Sequence, residues 1–336
     1  MSKQSKQQEM LHHLRSLEAR PDEQVCYALE ILERERGEQV VAQALAVLTS
    51  IPTVQARPSL LRLYAYYHEA GVKRDAGGGL RMALLAALLS IADARDQALA
   101  ERAIFTYEFL PPTREECAGG LRAAGLILLH NLDPLLASYH GTRLLVDQYN
   151  TSRMSGEPAV SAARLLAEQG QLLPLYSYLF SGGHAEVEAA CLRNLSRAPA
   201  AIIETLLSFY TSLTSTGTGV PIPRHESKED VVLLGLFDLL LAFPANQACL
   251  SFLETFLRET TRAEVYHSVL TTIIATHASQ PWKIVQQVAR TERRLEKIGY
   301  LLSTCALAQP EPATQQIIEN LQQRKTQAGK PGSMLS

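Results

Sequence analysis

Five basic side chains near the C-terminal end form the sharpest electrostatic feature of the sequence. They recur at spacings of three, four and seven residues: Lys283, Arg290, Arg293, Arg294 and Lys297. If residues 282–306 form one helix, this spacing places the cations on one face, with Trp282 at the first position of the helix. Such a stripe binds the phosphates of nucleic acids or the acidic surface of a partner protein. The alternative is a solvated face whose cations pair with Glu292 and Glu296.

A second group of candidate binding residues lies in the stretch LYAYYHEA, residues 63–70. Helical spacing places Tyr64, Tyr67 and His68 on one face. Tyrosine supplies apolar contact area together with a polar end, and it is enriched at protein interfaces. Packing between neighbouring helix pairs would use the same residues. The pattern therefore predicts either an interface or a core position for Tyr64 and Tyr67.

The segment STGTGVP, residues 215–221, has the composition of a phosphate-binding loop. A P-loop ends in Gly-Lys-Ser/Thr directly before a helix, whereas Gly219 is followed here by Val220 and Pro221. Serine, threonine and glycine give a flexible connection, and the prolines favour an extended backbone. We therefore interpret residues 215–226 as a flexible loop between two blocks of helices, with partner binding as the alternative.

The stretch KRDAGGGLRM, residues 73–82, offers two interpretations. Lys73 and Arg74 before a helix start favour an anion site, because the free N–H groups of a helix N-terminus attract negative charge. Alternatively, Asp75 caps the helix and the glycines allow close helix packing.

Reactive and metal-binding motifs are missing from the sequence. The five cysteines are far apart and include no Cys-x-x-Cys pair, and no His-Glu-x-x-His motif is present. Such spacing argues against a disulfide framework or a structural zinc site. We predict no catalytic residue, no metal site and no cofactor.

Composition and charge indicate a globular chain without a strong electrostatic preference. Hydrophobic residues make up 46% of the 336 residues, charged residues 20%, and the formal net charge is −2. This charge gives no global reason to bind nucleic acid or an anionic membrane. The most apolar stretches, 80–92 and 231–243, are shorter than the roughly 20 residues that span a bilayer. The sequence predicts a cytoplasmic protein that does not contact membranes.

The periodicity of apolar residues is helical along almost the whole chain. In residues 24–35, Val25, Ala28, Leu29 and Leu32 follow the i, i+3, i+4, i+7 spacing of one helix face. Comparable segments include 79–92, 96–109, 113–130, 134–149 and 282–306, whereas alternating strand patterns are missing. The fold class is therefore all-α. About sixteen short helices are too many for a simple bundle, and they favour a stack of antiparallel helix pairs.

Two pairs of segments resemble each other. Residues 79–104 and 120–145 both begin with Gly-Leu-Arg and continue as two amphipathic helices, about 40 residues apart. Residues 157–176 and 184–203 also align, with Val160 matching Val187. The openings EPAVSAARLLAEQG and HAEVEAACLRNLS resemble the first helices of HEAT repeats, a group of armadillo-like α-solenoid proteins.

The resemblance to HEAT repeats implies an α-solenoid with an extended concave face, a shape most often used to hold another macromolecule. We expect a non-enzymatic interaction scaffold that binds a protein or peptide. Some HEAT-like proteins are DNA glycosylases, so the alternative is a nucleic-acid-binding protein that uses the stripe at 283–297. The expected organisation is an N-terminal helical cap or first repeats (1–70), HEAT-like repeats (71–214), a flexible loop (215–226), C-terminal helical repeats (227–324) and a disordered tail (325–336).

Overall fold

Helices account for nearly all of the ordered structure. The computed structural model describes residues 3–150, 155–211, 213–215, 221–223, 228–307 and 312–328. Within these ranges there are eighteen α-helices and two pairs of very short strands. The prediction of an all-α fold is confirmed.

The helices are numbered in chain order. The first nine are α1 (Lys3–Ser16), α2 (Pro21–Arg34), α3 (Glu38–Ser50), α4 (Arg57–Ala70), α5 (Gly79–Leu89), α6 (Gln97–Ile104), α7 (Gly119–Leu132), α8 (Pro134–Leu145) and α9 (Ala159–Glu168). The remaining nine are α10 (Leu172–Ser181), α11 (Ala185–Arg193), α12 (Ala200–Thr211), α13 (Asp230–Leu241), α14 (Gln247–Glu259), α15 (Ala263–Ala275), α16 (Ser279–Thr291), α17 (Leu295–Cys305) and α18 (Pro312–Ala328).

The starts of several helices follow from local sequence chemistry. Pro21 and Pro134 occupy the first turns of α2 and α8, where a missing N–H leaves no hydrogen bond unmade. The carboxylate of Asp133 caps α8 by accepting a hydrogen bond from the backbone N–H of Leu136 at 2.9 Å. Gly182 follows α10 with a φ of 71°, a left-handed conformation that glycine adopts without strain. Each of these start and stop signals lies within a few residues of the helix end that it marks.

Contacts divide the chain into two compact units, Met1–Pro174 and Leu175–Ser336. The division falls within α10 and not within 215–226, the segment predicted to join two blocks of helices. Most of 215–226 lies outside the described residues. Of the predicted tail, residues 325–328 form the last turn of α18, and 329–336 lie outside the described residues.

In the first unit, the odd-numbered helices form a row, and the even-numbered helices pack beside it. The helices α1, α3, α5, α7 and α9 contact each other in this order, and α2 contacts α4. The helices α6 and α8 both pack against α7. Between them lies a continuous core of buried Leu, Val, Ile and Ala side chains that extends from Leu11 to Leu165. Burial of this apolar surface is the main contribution to the stability of the unit.

The second unit repeats this arrangement. One row of contacts joins α11, α13, α15 and α17, and another joins α12, α14, α16 and α18. The two rows meet where α13 packs against α14, α15 against α16 and α17 against α18. At the crossing of α13 and α11, the position of Gly235 allows a very close approach. A Cβ atom on Gly235 would lie 2.7 Å from the Cα and the carbonyl oxygen of Ala189. Only glycine fits this crossing without a shift of the backbone.

A short hairpin separates α6 from α7. Strand β1 (Phe109–Leu110) pairs antiparallel with β2 (Glu115–Glu116). The helix predicted at 96–109 therefore ends earlier, at Ile104, and the helix predicted at 113–130 begins later, at Gly119. In the second unit, β3 (Leu213–Ser215) pairs with β4 (Pro221–Pro223). Both strand pairs are departures from the predicted absence of strands.

No helix in the described ranges combines the length and the apolar content needed to cross a membrane.

Candidate functional site

The basic stripe does not lie on a single helix. Helix α16 ends at Thr291, and α17 begins at Leu295. The carboxylate of Glu292 accepts hydrogen bonds from the backbone N–H groups of Arg293 and Arg294, both at 2.9 Å, and so stabilises the break. The prediction of one continuous helix over 282–306 is wrong, because a side chain competes with the helical hydrogen bonds at this point.

Two of the five cations cap another helix. The guanidinium of Arg294 donates hydrogen bonds to the carbonyl oxygens of Glu259 and Thr260 at 3.3 and 3.2 Å. The ammonium of Lys297 donates to the carbonyl oxygen of Leu257 at 2.7 Å. These carbonyls lie at the C-terminal end of α14, where unpaired acceptors and the helix dipole favour a cation. Arg294 and Lys297 therefore hold α17 against the end of α14.

Lys297 is almost completely buried although it is charged. Its Nζ lies 4.7 Å from the centre of the Tyr266 ring and 4.0 Å from Oε2 of Glu292. Burial lowers the pKa of Lys297 to about 8, and the charge of Arg294 acts in the same direction. A buried ammonium loses hydration that these neighbours only partly replace.

This pKa predicts how stability changes with pH. Between about pH 8 and the usual lysine pKa of 10.5, the unfolded chain keeps a proton that folded Lys297 has released. The free energy of unfolding therefore rises with pH in this window. We expect the wild type to gain stability relative to Lys297→Met between about pH 7 and about pH 10. Urea midpoints of both proteins at the two pH values measure this gain, and a constant difference would contradict the prediction.

The other three cations of the stripe face solvent. Lys283 and Arg290 lie on the exposed side of α16, seven residues apart, and Arg293 lies in the turn that follows. Their side chains have no hydrogen-bond or ion-pair partner in the part of the chain that the structure describes. Trp282 is half-buried at the start of α16. Three of the five predicted cations thus remain accessible to a partner.

Tyr64 and Tyr67 are core residues. Their exposed fractions are 1% and 2%, and both contribute to the buried cluster of the first unit. The hydroxyl of Tyr67 donates to the carbonyl oxygen of Arg36 at 3.3 Å, whereas the hydroxyl of Tyr64 has no hydrogen-bond partner among the described residues. Burial raises the pKa of Tyr64 to about 12. Of the two interpretations of this stretch, the core position applies, so neither tyrosine is available to a partner in this structure.

The stretch at 73–82 forms a helix cap and a buried ion cluster. The carboxylate of Asp75 accepts hydrogen bonds from the backbone N–H groups of Leu80 and Arg81 at 2.9 and 3.0 Å. The Arg81 guanidinium is fully buried, where Nε donates to Asp75 at 2.9 Å and the two Nη atoms donate to Glu108 at 2.6 and 2.8 Å. Burial alone would lower the pKa of Arg81, but these carboxylates raise it above its usual value. Of the two interpretations of this stretch, the structure therefore shows the helix cap. The carboxylate of Asp75 occupies the position at the helix N-terminus where an external anion would bind.

The second Gly-Leu-Arg segment builds an equivalent cluster. The two Nη atoms of fully buried Arg122 donate to the carboxylate of Glu116 at 2.6 and 3.0 Å. Nε of Arg122 lies 3.4 Å from Oδ2 of Asp147, and its guanidinium carbon lies 4.2 Å from the centre of the Tyr107 ring. In both clusters a carboxylate six residues before the arginine is its partner. The hairpin between α6 and α7 carries Glu116 and follows Glu108, so it brings a carboxylate to each cluster.

An accessible apolar surface lies on α8 instead. Three residues share one side of this helix, Leu135, Tyr139 and Thr142, and a fourth, Val146, directly follows its last residue. Leu135, Tyr139 and Val146 are 68%, 71% and 66% exposed. At 100° per residue the three helical positions fall within about 60° of one another, over a length of about 10 Å. We refer to these four residues as the α8 surface. The opposite side of α8 is buried in the core, so the helix is apolar on two sides.

The α8 surface borders a shallow depression of about 370 Å³ that is lined by Leu135, Ser138, Tyr139, Thr142 and Gln171. The hydroxyl of Ser138 donates to the carbonyl oxygen of Leu135 at 2.7 Å, and that of Thr142 donates to the carbonyl oxygen of Ser138 at 2.9 Å. Both hydroxyl groups donate their hydrogen to a backbone carbonyl of the helix, and each hydroxyl oxygen remains a weak acceptor. The lining contains no charged group.

The ionisable side chains Arg143 and His140 of α8 contact residues of α6 and the segment that follows it. Arg143 donates to the hydroxyl of Tyr107 at 3.1 Å, and its guanidinium carbon lies 4.6 Å from the centre of the Phe105 ring. Nε2 of His140 lies 3.6 Å from Oε1 of Glu101 on α6. The exposed side of α8 was not predicted from the sequence. The signal was present, since Leu135, Tyr139 and Val146 recur on the side opposite to the core positions.

Comparison with family models, curated proteins and solved structures finds no match to this chain. Within the described residues, no group of three or more His, Cys, Asp or Glu side chains is placed to hold a metal ion.

Proposed function

We propose that this chain is a non-enzymatic interaction scaffold that binds a protein or peptide on the surface of stacked antiparallel helix pairs. The observation that carries the proposal is the α8 surface, with three large apolar side chains that are each about two-thirds exposed. Soluble proteins rarely expose large apolar side chains in one continuous group unless the group has a binding role. A surface that is apolar and solvated costs free energy, and a partner that covers it removes this cost.

The packing pattern supports the α-solenoid form of this scaffold. Each unit contains a row in which helices contact the second helix along the chain, and in the second unit two such rows lie side by side. Side-by-side rows are the arrangement expected for HEAT-like repeats, in which each repeat contacts its neighbours. Repeats of this kind present long surfaces on a rigid framework, which suits a scaffold.

Capture from lysate of the source cells tests the scaffold. A tagged form of the full chain is used at about 100 mM and about 500 mM salt, with nuclease added. We expect a protein that stays bound under both conditions and that co-elutes with the purified chain on gel filtration once it is itself purified. Recovery of no such protein would contradict the proposed function.

Nucleic-acid binding is the second candidate, because Lys283, Arg290 and Arg293 are exposed and have no partner in the described residues. Phosphate contacts weaken steeply with salt. A capture that disappears at high salt or with nuclease would favour this candidate, provided that the variant with all three residues changed to glutamine loses it. The side chains of Arg294 and Lys297 cap α14, so the stripe offers fewer contacts than the sequence suggested.

A further inference from the structure

We propose that residues 292–294 form a hinge at which the second unit can open. In the open form α16 and α17 join into one continuous helix, and two copies of the chain exchange α17 and α18. The proposal goes beyond the scaffold function and does not depend on it. It follows from a conflict between the local sequence, which favours a helix, and the turn that the structure shows at this point.

The sequence across the turn has no residue that stops a helix. Residues 289–297 read ARTERRLEK, and eight of these nine residues are strong helix formers. Glycine, asparagine and proline, which commonly end helices, do not occur in this stretch. The turn between α16 and α17 is therefore not explained by the helix propensity of its residues. Side-chain contacts must hold it.

The main contact that holds the turn is made by Glu292, which is 8% exposed. Its carboxylate accepts hydrogen bonds from the backbone N–H groups of Arg293 and Arg294. In a continuous helix the same two N–H groups would bond to the carbonyl oxygens of Ala289 and Arg290. The carboxylate thus competes with two backbone carbonyls for the same donors.

The turn reverses the direction of the chain. Arg324, near the end of α18, donates hydrogen bonds to the carbonyl oxygens of Ala289 and Glu292 at the end of α16. The helices α16 and α18 also pack against each other. They therefore run in the same direction, and α17 runs against them. Loss of the turn would move α17 and α18 together, away from α15 and α16 of their own copy.

A second copy of this chain fits the open form. Opening exposes the sides of α17 and α18 that pack on α15 and α16, and buried Ile298, Leu301 and Leu321 belong to these two helices. The surface left on α15 and α16 of another open copy has the matching shape, since the same contacts form within one chain. Lys297 moves with α17, so it can cap α14 of the other copy. Exchange of an identical element forms dimers at low cost for this reason.

Only the contacts at the hinge differ between the closed chain and the exchanged dimer. Joining the helices removes one helix C-terminus and one N-terminus, with their unpaired carbonyl and N–H groups. It also removes the hydrogen bonds of Glu292 and those of Arg294 to the end of α14. The carboxylate of Glu292 stabilises the closed form alone, whereas the helix propensity of 289–297 favours the open form. Substitutions in this stretch should therefore shift the balance in either direction.

Glu292→Ala tests the hinge. Alanine removes the acceptor that holds the turn and has the highest helix propensity. Size-exclusion chromatography with light scattering measures the mass from about 10 to about 500 µM protein. We expect a monomeric wild type and a variant whose dimer fraction rises with concentration. Glu296→Ala is the matched control and should remain monomeric, because Glu296 is an exposed glutamate of α17 that does not contact the turn.

Leu295→Pro tests whether the dimer needs the continuous helix. Leu295 is the first residue of α17, and Arg294 before it has an extended backbone with φ −72° and ψ 120°. Proline fits the first helical position after such a residue, but it breaks a helix in its interior. Added to Glu292→Ala, it should weaken dimerisation at least about 100-fold, because each dimer contains two joined helices. Leu295→Pro alone should unfold cooperatively as a monomer.

A distance within one chain reports the joined helix directly. Spin labels at Gln280→Cys and Ser303→Cys, both exposed positions, would lie about 35 Å apart along a continuous helix. Pulsed electron paramagnetic resonance is measured on labelled chains diluted with unlabelled ones, with Cys26→Ser to remove the exposed native thiol. The dimer should show this distance. The monomer should show a much shorter one, because its chain turns back after α16.

Three results would overturn the proposal. The first is a folded Glu292→Ala variant that stays monomeric over the whole concentration range. The second is a dimer that Leu295→Pro leaves unchanged, and the third is a dimer with the label distance of the monomer. Glu292→Gln, which keeps a neutral acceptor, replaces Glu292→Ala if the alanine variant does not fold. It should give a smaller dimer fraction, and the same three results apply to it.

Discussion

Replacement of Arg122 by methionine is expected to lower the free energy of unfolding of the first unit by about 3–5 kcal/mol. Arg122 is fully buried, and its partners Glu116 and Asp147 are 1% and 2% exposed. Methionine fills much of the space but leaves two carboxylates in the interior without a counter-charge. Removing one partner of a buried ion cluster is costly because the remaining carboxylates stay out of water and keep only neutral hydrogen-bond donors. Urea unfolding followed by circular dichroism measures the loss.

The control for this substitution is Arg95→Met. Arg95 also pairs with an aspartate of the first unit, Asp93, but its side chain is 80% exposed. Water replaces the lost contact at such a site, so we expect the urea midpoint to stay where it is in the wild type. Equal shifts of the urea midpoint for the two variants would show that burial does not set the stability lost when Arg122 is removed.

Replacement of Gly235 by alanine should destabilise the second unit by about 1–3 kcal/mol. The new methyl group would lie 2.7 Å from the backbone of Ala189, and backbone atoms cannot move aside as a flexible side chain can. Helices α13 and α11 would have to separate, and the apolar contacts around their crossing would loosen. Thermal or urea unfolding detects the change.

A second helical glycine provides the opposite expectation. Gly299 lies in α17, and a Cβ atom at this position would meet no atom within 4 Å. Alanine there should stabilise the protein by about 0.5–1 kcal/mol, because glycine in a helix loses more backbone entropy on folding. If Gly235→Ala leaves stability unchanged or raises it as Gly299→Ala does, the close crossing at Gly235 does not have the effect assigned to it.

The sequence predicted most helices because their signals are local. Apolar periodicity, the prolines at the first turns of α2 and α8, and the cap at Asp133 depend on neighbours within one or two turns. The break between α16 and α17 escaped prediction because Val288 and Leu295 keep the seven-residue spacing of one helix face across it, and no glycine or proline lies between them. A glutamate, Glu292, stabilises the break through hydrogen bonds to the following backbone. Glutamate is a common residue inside helices, so its presence gives no stop signal.

The candidate sites were harder to predict because exposure depends on contacts that are distant in sequence. Periodicity placed Tyr64 and Tyr67 on one face but could not tell whether that face meets solvent. Arg294 and Lys297 looked free because the carbonyls that they cap lie 34 to 40 residues earlier in the chain. The α8 surface was missed because a helix with two apolar sides resembles a fully buried helix until its neighbours are known.

The cations that cap helix ends also determine how freely one helix can slide past the next. Arg294 and Lys297 bind the end of α14, and Arg324 donates to the carbonyl oxygens of Ala289 and Glu292 at the end of α16 at 3.1 and 2.8 Å. Apolar contacts tolerate small displacements, since they have no preferred direction. Hydrogen bonds weaken steeply when their angle or length changes. These directional hydrogen bonds therefore fix the angle between consecutive helices at this end of the second unit. They make the row of helices α14, α16 and α18 stiff and leave little room for gradual bending.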